Sequence, residues 1–319
     1  MSLSQINIKI ILVFSLVFAI SALYVFYSEN SEKNSGDFLD NSNNSIITNV
    51  YSGDSIQQAI NNTSSGGTVT VDSGLYKENL VVDKSLIIIS QPGETTEAII
   101  QAADPEKDVF HITADNVTIS GFNITGSHGK AGIYYSGSDG NINENKLSYN
   151  NYGVYLNNSN RDILENNEVN NNSFGIYLKN SNNNQLKSNN VSGVGIFVGL
   201  ENNATGIYLE DSDTNKLMRN TISKLWDGVN FTESSNNELN NNSILHNYFS
   251  LSLVNSNNNK VLNNTIVRRG YSYSVVLADS QNNTVKGNNK DLNTELKICY
   301  SFKSTNNTLE GELYTSKGE

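Results

Sequence analysis

Glu210, Asp211 and Asp213 place three carboxylates within four residues, with Arg219 a short distance on. Carboxylate oxygens at that density are the donors Ca²⁺ takes, so Asp211 and Asp213 are candidate calcium ligands. Together with Asp227 and Arg219, the three are also candidate groups for acid–base catalysis, as acid, base and cation. The plainer structural reading is a solvated acidic turn on a chain whose formal net charge is −11. Asp72, Glu78 and Asp83 read the same way, as turn and surface groups. His111, His128 and His246 stand apart and show no ligand spacing, so they read as structural or surface histidines. Cys299 is the single cysteine, which excludes an intrachain disulfide and a cysteine metal cage.

A second chemistry is aromatic. Tyr134, Tyr155, Tyr177 and Tyr208, followed by Asn230, hold one place in successive short segments. Tyr offers an apolar ring and a polar tip, which suits a sugar-binding platform. The structural alternative is a ladder of rings that pack on each other and shield a sheet. Trp226, the only tryptophan, lies in Lys224-Leu225-Trp226-Asp227. An apolar run at 192–205, with Phe197 in it, precedes that segment. Tyr155, Tyr177, Tyr208, Phe197, Trp226 and Asp227 form the candidate ligand-binding set, with local core filling as the structural alternative for the apolar run.

The elements that must position these residues are repeats. Gly132-Ile-Tyr-Tyr, Gly153-Val-Tyr-Leu, Gly175-Ile-Tyr-Leu, Gly206-Ile-Tyr-Leu, Gly228-Val-Asn-Phe, Ser250-Leu-Ser-Leu and Ser274-Val-Val-Leu start 21, 22, 31, 22, 22 and 24 residues apart. A second landmark is Asn145, Asn167, Asn189, Asn220, Asn242, Asn264 and Asn288, with steps of 22, 22, 31, 22, 22 and 24. A unit this short cannot bury its own apolar face, so it must stack on copies of itself. Alternation of apolar and amphipathic residues marks strands. Asn-rich runs such as Asn182-Asn183-Asn184 mark turns. The reading is an all-β parallel β-helix with three short strands in each coil of about 22 residues. Coils lie about 4.8 Å apart, so like stacks on like. The 55 asparagines then serve left-handed turns and inward amide ladders. The single step of 31 predicts a loop of nine extra residues leaving the stack beside Trp226.

Four segments follow. Residues 1–27 contain Ile10 to Tyr27, an uncharged and largely apolar run, read as a membrane anchor with a cleaved signal peptide as the rival. Residues 28–48 are a Ser/Asn-rich flexible spacer. Residues 49–290 are the β-helix, and 291–319 a terminal coil or cap. Charge order places the domain outside the cell, anchored or secreted. Net negative charge argues against nucleic acid as a partner. Fourteen Asn-x-Ser/Thr sequons, among them Asn116, Asn123, Asn157, Asn203, Asn230 and Asn306, are candidate glycan acceptors on an exported domain.

The stretch before the repeats carries a family resemblance. Ser55-Ile-Gln-Gln-Ala-Ile60 is followed by Gly66-Gly-Thr-Val-Thr-Val71, Gly74-Leu-Tyr-Lys-Glu-Asn-Leu80 and Lys84-Ser-Leu-Ile-Ile-Ile89. Val117-Thr-Ile-Ser-Gly-Phe-Asn-Ile124 follows. This resembles the opening of right-handed β-helix proteins of the NosD-like, pectate-lyase-like (CASH) group, over roughly residues 50 to 290, and is similar to archaeal cell-surface β-helix proteins. The resemblance implies that Ser55 to Ile60 is a helical cap on the first coil. It also implies a choice of activities. Lyases of the group use acidic Ca²⁺ clusters with a basic residue, polygalacturonases use clustered Asp, and epimerases carry Asp-Pro-His-Asp. Here the only Asp-Pro is Asp104-Pro105, followed by Glu106-Lys107. Copper association, known for NosD-type proteins, finds no evident ligands.

The expectation is an extracellular surface or envelope β-helix that binds polysaccharide or a surface glycoprotein, without catalysis and without a cofactor other than an optional Ca²⁺. A polysaccharide lyase or hydrolase on the same face is the alternative.

Overall fold

The computed structural model describes residues 47–91, 97–193, 204–270, 272–289, 295–301 and 303–316. All of them belong to one compact unit, Ser45–Glu319. Among them the strands form three parallel sheets of 12, 11 and 9 strands. The coil that carries Asn189 illustrates the plan. Phe174–Lys179 lies in the 11-stranded sheet, Gln185–Lys187 in the 12-stranded sheet and Asn190–Ser192 in the 9-stranded sheet. The chain then returns to the 11-stranded sheet as Thr205–Glu210. This is the parallel β-solenoid that the repeats require.

The core follows from the period of 2. In Phe174–Lys179, Ile176 and Leu178 are fully buried and face inward. Leu164, Leu186, Leu217, Leu239, Val261 and Val285 stack one above another through successive coils, all fully buried. Each buried aliphatic side chain contributes about 1.5–3 kcal/mol by leaving water. None of these strands could do so alone, so the coils stabilise each other.

Asparagine closes the corners in two ways. Asn166, Asn171, Asn183, Asn241 and Asn263 adopt left-handed backbone angles at turns. The inward ladder runs from Asn145 to Asn288: Asn167 Nδ2 donates to Asn189 Oδ1 at 2.9 Å, and Asn189 Nδ2 to Asn220 Oδ1 at 3.0 Å. Each amide also caps a carbonyl, as Asn189 Nδ2 does to Leu164 O at 2.9 Å. Buried corner groups are therefore paired, which a dry solenoid interior demands.

The step of 31 keeps register. Thr205 pairs with Phe174, and the Asn189–Asn220 bond spans the step. Residues 194–203, with Phe197, lie outside the described residues. So does the Ile10 to Tyr27 run; among the described residues no helix is long and apolar enough to cross a membrane. Strand Ile47–Val50 already pairs with Thr68–Val71, so the stack starts within the end of the expected spacer. At the far end, Lys297–Ser301 and Glu312–Ser316 extend the 11-stranded sheet.

A helix spans Ile56–Asn62 and buries Ile56, Ala59 and Ile60. Its first amides need acceptors. Glu78 supplies them, accepting from Ile56 N at 2.9 Å and Gln57 N at 3.0 Å. Glu78 is thus a helix-terminal acceptor, not a free surface carboxylate as its sequence context suggests.

Candidate functional site

The outward face of the 11-stranded sheet collects the aromatic residues. Register brings His111, Tyr134, Tyr155, Tyr177, Tyr208 and Asn230 into one column. A parallel column holds Tyr152, Phe174, Thr205, Asp227 and Phe249. Tyr155 and Tyr177 stack with centroids 4.9 Å apart and planes 13° apart; Tyr177 and Tyr208 stack at 5.1 Å and 8°. Tyr152 and Phe174 stack beside them at 5.1 Å. Rings packed this way spend their faces on one another and turn edges and hydroxyls to solvent. Tyr177 is only 8% exposed. Burial, followed by the nearby Glu210, raises its phenol well above the usual range.

The column breaks at Tyr134. Its ring lies 83° from that of Tyr155, and His111 lies flat on it at 4.8 Å and 6°. A cleft forms at the break, lined by Asp108, His111, Lys130, Tyr134, Tyr152 and Tyr155 among others. Asp108 is held there by both oxygens. Oδ1 accepts from Ala131 N at 2.9 Å, and Oδ2 lies 2.9 Å from His111 Nδ1. Tyr134 is fixed by Asn157, whose Nδ2 donates to the phenol oxygen at 3.0 Å. Aromatic walls with a few convergent polar groups are the usual make-up of a small-molecule site.

A second aromatic group lies three to four coils further along. Trp226 stacks on Tyr248 at 4.3 Å and 13°, and Phe249 meets both edge-on. Asp227 sits in register between Thr205 and Phe249. Burial raises its carboxyl above the ordinary range, and a hydrogen bond from Thr205 opposes the shift. Asp227 therefore belongs to the column holding Phe174, and the register position beside Tyr208 is taken by Asn230.

The carboxylate cluster read from the sequence is dispersed. Glu210 ends its strand on the tyrosine face, where Tyr177 Oη donates to it and Lys179 Nζ lies at 3.0 Å. The Tyr177 hydrogen bond, aided by Lys179, holds Glu210 below the usual carboxylate range. Asp211 occupies the left-handed turn that follows. Asp213 Oδ1 accepts from Ser235 N at 2.6 Å, a turn-to-turn bond. Arg219 lies one corner further round, between Lys216–Met218 and Thr221–Ser223. The chain turns at Asp211, so the side chains of Glu210 and Asp213 part, which linear spacing does not reveal.

With this geometry in hand, comparison with known proteins gives a consistent result. Residues 60–250 match the family model described as periplasmic copper-binding protein (NosD), and residues 197–313 match that of the right-handed β-helix region. The chain belongs to the NosD family of β-helix repeat proteins. A cell surface glycoprotein of Methanothermus fervidus is 44% identical over 81 residues, which is 25% of this chain and 13% of that protein. The chain thus matches only a small part of that relative's length. Among solved structures, DFA-IIIase from Arthrobacter chlorophenolicus A6 in complex with DFA-III superposes with a TM-score of 0.66 at 14% identity, over 85% of each chain. The Dettilon tailspike protein gives a TM-score of 0.62 at 14% identity, over 84% of this chain and 68% of that one. These likenesses speak for the fold alone.

The family description raises copper, which favours thiolate, thioether and imidazole donors. The described residues do not fit it. His111 lies on the tyrosine face, while His246 holds a left-handed turn in Ser243–Asn247 of the 9-stranded sheet. Cys299 lies in Lys297–Ser301, many coils away. Among the described residues no three His, Cys, Asp or Glu side chains gather as a metal set.

Several residues of this face escape sequence reasoning. Tyr152 and Phe174 precede their glycines and look like turn residues. Asp108 and His111 look like isolated surface groups, although Asp-x-x-His at a strand edge is the signal that marks them.

Proposed function

We propose that this chain is an extracellular surface β-helix protein that binds a glycan on the outward face of its 11-stranded sheet. The observation that carries this reading is the cleft where the tyrosine column breaks, with Tyr134, Tyr152 and Tyr155 beside Asp108, His111 and Lys130. A sugar ring needs an apolar wall and several hydrogen-bonding groups, and the cleft supplies both. Along the rest of the column, ring edges and hydroxyls spaced about 4.8 Å apart suit an extended chain better than a single sugar. Trp226 and Tyr248 extend the same face and form its second contact.

The similarity to a cell surface glycoprotein supports a surface location, with polysaccharide or a surface glycoprotein as partner. The Ile10 to Tyr27 run serves as anchor or export signal in this reading, and the helix Ile56–Asn62 covers the first coil. A second reading is turnover of the bound polymer. It draws on one structural neighbour, DFA-IIIase, whose structure holds DFA-III. Binding of glycans by the protein and by its Tyr155→Ala variant tests the proposal.

A further inference from the structure

We infer that Asn116, Asn241 and the stacked pair Asn282 and Asn306 are the N-glycosylation sites of this chain, an assignment that rests on the extracellular reading, since only an exported chain meets the modifying enzyme. The sugars line both edges of the 12-stranded sheet and leave the tyrosine face bare.

The fold sorts the fourteen sequons. An acceptor needs its amide nitrogen in solvent and the hydroxyl two residues on standing on the same side. A turn that feeds a strand supplies both. Asn116, Asn241, Asn282 and Asn306 hold left-handed backbone angles, with φ of 56°, 57°, 56° and 57°. All four are exposed. The next residue turns inward: Val117, Asn242 and Asn283 are buried, and Asn307 Nδ2 donates to Ser280 O at 2.9 Å. The third residue opens a strand. Thr118, Thr284 and Thr308 begin strands of the 12-stranded sheet, and Ser243 begins one of the 9-stranded sheet. The middle residue is a fixed pivot, so amide and hydroxyl share the outer side. At all four sites neither side-chain group has a hydrogen-bond partner among the described residues.

The other sequons lack this arrangement. Asn123 Nδ2 donates to Glu97 at 3.1 Å, Asn157 Nδ2 to Tyr134 Oη at 3.0 Å and Asn263 Nδ2 to Asn240 Oδ1 at 3.3 Å. These amides are held against a neighbouring side chain, in the place a sugar would take. Beside Asn190 the hydroxyl is engaged, because Ser192 Oγ donates to Asn170 Oδ1 at 2.7 Å. Asn171 and Asn230 are half-buried. Asn61 and Asn62 end the helix, whose backbone lacks the bend that sets second neighbours on one side. Asn43 and Asn203 lie outside the described residues.

Topology sets the two edges. Asn116, Asn282 and Asn306 lie where the chain enters the 12-stranded sheet, and Asn241 lies where it leaves, after Glu238–Asn240. Thr284 pairs with Thr308, so Asn282 and Asn306 are one coil apart, about 4.8 Å, and hold one glycan between them. The transfer balances with a glycosyl diphosphate as donor. Asparagine Nδ2 bonds to C1 of the sugar as the C1–O bond to the diphosphate breaks. The electron pair leaves with the diphosphate, and the amide gives up one proton to it.

Glycopeptide mass spectrometry of the full chain, taken from the cells that make it, tests the sites. Sugar should appear on Asn116, on Asn241 and on Asn282 or Asn306, and be missing from Asn123 and Asn157. Ser243→Ala should abolish the sugar on Asn241, and Ser243→Thr should keep it. Four bare sites overturn the assignment, and leave the extracellular reading intact, if the chain is found in the medium or is labelled on intact cells by a membrane-impermeant amine reagent. A bare chain confined within the cells removes both. Sugar on Asn123 or Asn157 at the level of Asn241 overturns the sorting by the fold, as does an Asn241 still modified in Ser243→Ala.

Discussion

The phenol of Tyr177 donates to the carboxylate of Glu210 on the next coil, and Lys179 Nζ approaches the other carboxylate oxygen at 3.0 Å. Glu210, a candidate catalytic carboxylate by its sequence context, clamps the tyrosine column. The clamp has a pH signature. Tyr177, then Lys179, holds the Glu210 carboxyl below its ordinary value. Its stabilising contribution is therefore full above about pH 4.3, the unfolded value, and is lost as pH falls through the folded one. Glu210→Gln should melt below the parent at pH 7, and the two curves should converge in acid.

Asp162 has the opposite sign. It occupies a buried corner column whose other members are Asn184, Asn215, Asn237, Asn259, Asn283 and Asn307. Burial raises its carboxyl to about 7, although Ser159 Oγ and Gly140 N donate to it. Below the ordinary carboxylate range, about pH 3.9, both folded and unfolded forms are protonated and the site costs nothing. Between there and pH 7 the unfolded chain ionises first, so stability declines as pH rises. Asp162→Asn restores the amide of the column. Its melting temperature should exceed the parent's by several degrees at pH 8, with the gap shrinking toward pH 4. An equal gap at both pH values would contradict this account of the column.

The central amide ladder should be intolerant of an apolar insert. Asn189 donates to Asn220 Oδ1 and Leu164 O, and its own Oδ1 accepts from Asn167 N and Nδ2. Asn189→Leu has similar bulk but leaves those groups unpaired in a dry corner. The cost should be on the order of 1–3 kcal/mol in urea unfolding. An unchanged unfolding midpoint would show that the ladder contributes nothing to stability.

The architecture could be read from the chain because a solenoid writes its contacts at a fixed interval. Gly175-Ile-Tyr-Leu predicts Ile176 and Leu178 inside and Tyr177 on the outward face; the first two are fully buried, and Tyr177 stacks in the outward column, where neighbouring rings cover it. Asn189 predicts a partner at Asn220 even across the step of 31. The site was less legible for a physical reason. Residues close in sequence diverge at each turn, so Glu210 and Asp213 part company. Residues 20 or more positions apart meet, as Asp108 and Ala131 do. Ring orientation is a further step removed: nothing in the run of tyrosines tells that Tyr134 turns across Tyr155 and opens the cleft.

The central claim is that the broken tyrosine column binds glycan. Its most direct test is glycan binding measured for the parent, Tyr155→Ala, Trp226→Ala and Leu75→Ala, the last an exposed residue on the 9-stranded sheet. Tyr155→Ala should weaken binding about tenfold, Trp226→Ala should weaken it for long chains more than short ones, and Leu75→Ala should leave it unchanged. Binding by the folded Tyr155→Ala variant that equals the parent's would contradict the account.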